Sequence, residues 1–306
     1  MPELPDVVIY LEALEARILG QSLEKIRLAN PFLLRSVSPP LSEAAGKRVT
    51  GLRRLGKRIV IGLEHELFLV IHLMIAGRFR WKEAGAKIPG KLGLAAFDFS
   101  SGTLLLTEAG TRRRASLHLV AGEAALADHD PGGLEVLQAA LPAFAEALNS
   151  QNRMTKRMLT DPATFSGIGN AYSDEILHRA QLSPFKQTRQ LDEGETARLY
   201  RATREILTEW SDRLRQQAGG KFPEKVTAFH KEMAVHGKFG QPCPVCGKPV
   251  QRVVYANNEM NYCALCQTGG KMLADRALSR LLKNDWPRTI DEIEPPAAAA
   301  PLREGD

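Results

Sequence analysis

The chain has 306 residues, enough for about two ordinary domains with ample core, and carries 41 basic against 35 acidic residues. It has no run of about 18 apolar residues and no basic-then-apolar start, so neither a membrane-spanning helix nor a signal peptide is expected and a cytoplasmic protein is the default expectation. Residues 291–306 hold five acids against Arg303, so residues 1–290 carry 40 basic and 30 acidic residues; that net of +10 suits a polyanionic partner and equally a solvated surface.

The first residues read MPELPD. Removal of Met1 would leave Pro2 with a free secondary amine, a class of group that titrates near pKa ~8. Such an amine can attack a sugar aldehyde or its masked equivalent, with Glu3 moving protons nearby. A proline that merely permits methionine removal, beside a solvated Glu3, is the competing reading. Val7, Leu11, Leu14 and Ile18 then recur at helical spacing, with Gly20 placed to end the helix.

From Leu23 to about Leu119 the texture becomes short β-like runs: RIVIGL, LFLVIHLMI, LGLAAFDF and GTLLLT, separated by turn residues. These predict a mostly antiparallel sandwich or barrel carrying the first helix, with Gly85–Gly93 as a loop. KRVTGLRRLGKR and TRRR (Arg112, Arg113 and Arg114) are basic runs, and His72 reads as a core histidine. From about 132 to 217 the pattern is helical: Leu134–Leu148, Asn152–Leu159, then a tight TFSGIGN turn into AYSDEILHRA. Backbone amides after the two glycines, with Asn170, would suit a phosphate, although an ordinary helix corner has the same pattern. Asp192 and Glu195 have capping-box spacing ahead of a long helix striped by Leu199, Ala202, Ile206, Trp210 and Leu214.

All four cysteines, Cys243, Cys246, Cys263 and Cys266, form two C-x-x-C pairs separated by sixteen residues. Two such pairs present four thiolates to one tetrahedral Zn²⁺, a closed structural site; a redox pair is the minor alternative. The intervening PVQRVVYA and MNYC read as strands joined around Asn257 and Asn258, which makes the module a zinc-ribbon hairpin. The end, EPPAAAAPLREGD, has too few large apolar residues to pack and is expected to be disordered.

The order PELPD, LGKRIV, HLMIAG, GIGNAYSDEIL and HGKFGQPCPVC…CALCQ, from Pro2 to about Leu282, resembles the formamidopyrimidine-DNA glycosylase and endonuclease VIII family. The resemblance implies an α+β chain in three parts. They are an N-terminal helix-carrying β-sandwich (1–131), a helix–two-turn–helix domain (132–237) and a C-terminal zinc-ribbon finger (238–282), followed by a tail (283–306). It implies damaged DNA as partner, one structural Zn²⁺, a monomer, and a cytoplasmic, nucleoid-associated place if bacterial. By the same resemblance Pro2 would attack C1′ of the damaged nucleotide and form a Schiff base, Glu3 would shuttle protons, and Lys57 and Asn170 would hold phosphates. Lys156 would line the DNA cleft, and β-elimination, with or without δ-elimination, would nick the strand.

Departures from the family pattern point to altered lesion recognition. Asn258 stands where the finger tip usually carries an arginine, removing a charge-assisted phosphate contact. Ile75 stands in the column of the family's gap-filling methionine with Met74 one place earlier, and strand alternation would turn the two to opposite faces. Arg112, Arg113 and Arg114 offer charge but no phenylalanine wedge, and Asp6 replaces the usual glutamate. These substitutions leave two readings: a bifunctional glycosylase and abasic-site lyase, favoured by Pro2 and Glu3, and a DNA-damage binder of the same fold with weak or no base excision.

Overall fold

The computed structural model describes all residues except 111, 225, 228, 256–257, 284–285 and 294–306. The tail's expected disorder and the Asn257 turn therefore lie outside the described residues. The chain divides into two compact units. The first comprises Met1–Ala139, Asp161–Gly169 and Leu207–Ala228; the second comprises Ala140–Thr160, Asn170–Ile206 and Phe229–Asp306.

In the first unit, helix α1 (Leu4–Ile18) starts with Pro5 in its first turn, where a missing N–H costs nothing, and Gly20 follows its end at φ +77°. Asp6 Oδ2 accepts the Glu3 N–H at 2.9 Å, fixing the entry to the helix. The strands that follow are β1 (Ser22–Leu23), β2 (Lys25–Leu28), β3 (Lys47–Leu55), β4 (Arg58–Leu63) and β5 (Leu67–His72). They continue with β6 (Gly77–Lys82), β7 (Gly93–Phe99), β8 (Gly102–Glu108) and β9 (Ser116–Ala121), before the short α2 (Glu123–Ala127). They form two antiparallel sheets, ordered β1-β3-β4-β5-β9 and β2-β7-β8-β6.

Alternation explains the layering. Ile59 and Ile61 of β4 and Leu69 and Ile71 of β5 join Phe79, Phe97, Leu104 and Leu106 of the other sheet in one core, with Val7, Tyr10, Leu14 and Ile18 of α1. The intervening Val60, Phe68, Val70 and Val120 face outward and are covered by Leu126 of α2. Phe222 and Val226 return to the main core, and the Phe222 ring lies 5.9 Å from Tyr10 and 6.4 Å from Trp81.

The second unit contains α3 (Leu141–Asn149), α4 (Thr155–Thr160) and α5 (Asn170–Arg179). The helix expected from Leu134 begins only at Leu141. Pro142 sits in its first turn, while Leu134 bridges to Phe165 within the first unit. Helix α6 (Glu193–Ala218) starts as the capping-box spacing predicts, Glu195 N–H donating to Asp192 Oδ1 at 2.7 Å and Asp192 N–H to Glu195 Oε2 at 3.0 Å. Leu199, Ala202, Ile206 and Trp210 are buried along it; Leu214 is only half-buried. Strands β10 (Gln251–Tyr255) and β11 (Asn258–Tyr262) form the ribbon, followed by α7 (Ala264–Thr268) and α8 (Arg276–Leu282).

Candidate active site and zinc centre

The first unit gathers Pro2, Glu3 and Lys57 around the turn that ends at Gly169. Glu3 is the residue before α1 and is 2% exposed. Its Oε2 accepts the Gly169 N–H at 2.6 Å. A Cβ built on Gly169 would lie 2.5 Å from the Glu3 carboxyl carbon and 2.7 Å from Lys57 Nζ. Both side chains therefore close over a backbone that only glycine leaves open. Lys57 is carried there by the corner between β3 and β4, where Gly56 takes φ +59°. Burial lowers the Lys57 ammonium from its ordinary range, and the Glu3 charge opposes that shift. The amine of Met1 is likewise lowered by burial, against the raising influence of Glu3. A buried carboxylate, a desolvated ammonium and the chain's first amine make a site suited to proton transfer and to nucleophilic attack by an amine.

The turn beneath them is braced from three sides. Leu4 N–H, one of the helix's orphan donors, donates to Gly167 O at 2.9 Å, and a Cβ on Gly167 (φ +81°) would meet Leu4 Cβ at 2.7 Å. Arg54 Nη1 donates to Ser166 Oγ at 2.9 Å and to Gly56 O at 2.6 Å, while its Nη2 pairs with Glu135. Glu135 also accepts the Ser166 hydroxyl at 2.5 Å. One guanidinium thus ties the Lys57 corner to the glycine turn, a link that no sequence pattern announces.

The expected opposition of Met74 and Ile75 does not hold, because β5 ends at His72 and residues 74–76 form a turn. Met74 takes φ +53° and Ile75 stands 61% exposed at the turn, which Gly77 N–H closes onto Leu73 O at 2.9 Å. Arg78 Nη1 fastens it by donating to Ile75 O (3.1 Å) and Gly77 O (2.6 Å). Strand alternation has no force where the chain has left the strand. His72 is partly buried, and burial beside Arg58 and Lys57 lowers its pKa to about 4. Arg112, Arg113 and Arg114 are exposed, with Arg113 Nη2 donating to Lys91 O at 2.6 Å and the Arg114 N–H held by Glu108.

In the second unit Asn170 is the first residue of α5, and its Nδ2 donates to Glu259 O at 2.7 Å. Lys156 is 7% exposed. Its Nζ donates to Asn170 O (3.1 Å), Ser173 Oγ (2.9 Å) and Asp174 Oδ1 (2.5 Å), so its three donors are spent inside the protein. Asp174 Oδ2 also binds His236 Nδ1 at 2.8 Å and accepts the Asn261 N–H at 3.1 Å. Next to it, Glu175 accepts the backbone N–H groups of Ala234, Val235 and His236 at 2.8–2.9 Å. Sequence reasoning passed over this pair. Two consecutive acids set among Tyr172, Ile176 and Leu177 of one helix were the available signal, since buried carboxylates need partners. Asn258 opens β11 opposite Tyr255 in the backbone ladder.

The four cysteine sulfurs lie within 4.8 Å of one another, with Cys246–Cys263 at 3.3 Å and Cys243–Cys266 at 3.9 Å. A tetrahedral ion at Zn–S distances of about 2.3 Å has sulfur edges of about 3.8 Å, so the set fits zinc. Burial, together with the neighbouring Cys246 and Cys243 thiols, pushes the Cys263 thiol up to about 12, and a bound cation would supply the charge that favours the thiolate. The Cys266 N–H, 3.5 Å from Cys263 Sγ, adds a backbone donor. This is a closed site with no ligand position left for catalysis.

Comparison with known proteins agrees with both units. Residues 1–117 match the family model of the formamidopyrimidine-DNA glycosylase N-terminal domain. Residues 133–214 match that of its H2TH domain, and 240–269 the zinc finger found in FPG and IleRS. The formamidopyrimidine-DNA glycosylase of Thermus thermophilus is 34% identical over 283 residues, 88% of this chain and 100% of that protein. The crystal structure of the Thermus thermophilus MutM (Fpg) protein aligns with a TM-score of 0.73 over 87% of this chain and 98% of its own, at 34% identity. The Lactococcus lactis Fpg complexed with abasic-site DNA aligns with a TM-score of 0.76 at 27% identity, covering 87% and 99%. Sandwich, H2TH helices and four-cysteine finger together define a DNA glycosylase of base excision repair with one structural zinc. The chain belongs to the formamidopyrimidine-DNA glycosylase family. No helix among its described residues is long and apolar enough to cross a membrane.

Proposed function

We propose that this glycosylase is bifunctional, excising a damaged base and then cleaving the strand through an imine on Pro2. The observation that carries the reading is the buried Glu3 carboxylate, adjacent in the chain to Pro2, held by Gly169 N–H and set close to Lys57. With Met1 removed, the Pro2 nitrogen attacks C1′ of a nucleotide turned out of the stack, a rotation costing a few kcal/mol. The C1′–N bond breaks as the base takes the proton that the Pro2 nitrogen sheds on adding, and the Glu3 carboxyl, having first taken a proton from water, gives it to the ring oxygen as the sugar opens. The resulting iminium draws electrons from C2′; loss of that proton expels the 3′ phosphate, and water then hydrolyses the imine to free Pro2. Expulsion of the 5′ phosphate by a second elimination follows the same logic.

Lys57 and Asn170 hold phosphates of the damaged strand in this reading, while Arg112, Arg113 and Arg114 supply exposed charge. Lys156 acts from inside by fixing the start of α5 at Asn170 O. Lesion choice departs from the family's habit, because Asn258 replaces a cation and an exposed Ile75 takes the place of methionine. The enzyme acts as a cytoplasmic monomer, with 1–131, 132–237 and 238–282 as its functional segments. Single-turnover assays on duplexes with one base lesion or one abasic site test the scheme. Glu3→Gln should suppress base release more than DNA binding, and Pro2→Gly should weaken imine formation with the fold intact. Base release by Glu3→Gln at the wild-type rate would remove Glu3 from the chemistry.

A further inference from the structure

His178 has no part in the chemistry above, yet it is 6% exposed and ends at a zinc ligand: its Nε2 lies 3.3 Å from Cys243 Sγ. Among the described residues, the set of ligand atoms within 4.8 Å of one another is Cys243, Cys246, Cys263 and Cys266, and His178 does not belong to it. The imidazole therefore stands outside the sulfur tetrahedron and touches one corner of it.

We propose that His178 is a positioning residue of the zinc centre, donating its Nε2–H to the Cys243 thiolate and joining α5 to the metal. A zinc-bound thiolate carries no proton and can only accept, so Nε2 must carry the proton of this bond. Four thiolates around Zn²⁺ leave a net charge of about −2 in a partly buried place, and each N–H aimed at sulfur offsets part of that cost. The Cys266 N–H does this at Cys263; His178 does it with a side chain from another element. Asp174 of the same helix accepts the Asn261 N–H and Glu175 grips the 234–236 backbone that leads into the finger, so α5 holds the finger through a carboxylate at Asn261 and an imidazole at Cys243. Zinc occupancy and the placement of α5, whose first residue is Asn170, are thereby coupled.

The test uses zinc-loaded full-length wild type, His178→Phe and His178→Gln, with zinc transfer to the chelator 4-(2-pyridylazo)resorcinol as readout. Phe keeps a ring of similar size without a donor, and the Gln amide places an N–H near the Nε2 position. Loss of an outer-sphere hydrogen bond weakens metal binding by about 10–100-fold. His178→Phe should show that loss and His178→Gln should stay within a few-fold of wild type. Equal tightness in all three proteins, or equal loss in both variants, overturns the proposal, because the ring's proton then plays no part. Should His178→Phe fail to fold, wild type loaded with ¹¹³Cd decides by NMR. A scalar coupling between the His178 Nε2 proton and ¹¹³Cd is expected across the N–H···S bond, and an unprotonated Nε2 refutes it.

Discussion

Gly169→Ala puts the largest load on the smallest change. The added carbon would lie 2.5 Å from the Glu3 carboxyl group and 2.7 Å from Lys57 Nζ. Reaching an ordinary contact of about 3.5 Å requires the carboxylate to retreat by about 1 Å. The 2.6 Å bond from Gly169 N–H to Glu3 Oε2 cannot survive that shift. A hydrogen bond to a charged group contributes about 1.5–3 kcal/mol, and overpacking of this kind costs about 1–3 kcal/mol, so the folded state should lose a few kcal/mol and remain populated. A misplacement of about 1 Å at a reacting group costs about 10²-fold in rate, or about 2.7 kcal/mol of transition-state stabilisation. The assay is single-turnover base release and nicking on a lesion duplex, beside urea denaturation and binding to an abasic-site analogue. Base release should fall about 10²-fold with binding much less affected. Wild-type base release from a folded Gly169→Ala protein would show that Glu3 need not sit where Gly169 holds it.

Four further outcomes follow from the same geometry. Lys156→Met leaves Asp174 buried without its ammonium and should cost about 3–5 kcal/mol in urea unfolding, as for other broken buried pairs; a loss below about 1 kcal/mol would mean that the pair is dispensable. His72, with a folded pKa of about 4 against about 6.5 unfolded, takes up protons more readily in the unfolded chain. Its contribution is present above pH ~6.5 and lost as pH falls toward 4, up to about 3 kcal/mol; His72→Gln should flatten that part of the stability–pH curve, and an unchanged slope would contradict the assignment. Verified zinc removal should collapse the β10–β11 ribbon and lower DNA affinity, measured by circular dichroism and fluorescence anisotropy; unchanged affinity would separate the finger from DNA binding. Asp6→Ala removes the acceptor for Glu3 N–H and should slow base release more than it destabilises the fold; equal rates would leave Asp6 a helix cap alone.

The parts of this molecule that follow from local rules were readable in advance. The period of Val7, Leu11, Leu14 and Ile18, β-like runs such as RIVIGL, the Asp192–Glu195 cap and the four-cysteine spacing each fix a local geometry, and the structure has them all. What escaped depends on contacts between residues far apart in sequence. Residues 161–169 and the segment that begins at Leu207 return to the first unit although the helical stretch of sequence runs on through both starting points. Gly169 looked like part of a phosphate turn; its other task, leaving room for Glu3 and Lys57, appears only when residues 3, 57 and 169 are brought together. Lys156 was expected, by resemblance, to line the DNA cleft, and nothing nearby in sequence reveals that Asp174 meets it in the interior. Met74 and Ile75 were assigned to a strand by their apolar run, and the glycine closing the turn at position 77 outweighed that run.

The central claim is that the nitrogen of Pro2 is the nucleophile. The most direct measurement is borohydride trapping on a duplex with one abasic site, using zinc-loaded protein whose N-terminus has been verified by mass spectrometry to begin at Pro2. A covalent protein–DNA adduct that peptide mapping places on Pro2 is the expected result. No adduct from protein that binds this DNA, or an adduct placed on Lys57 or another lysine, would contradict it.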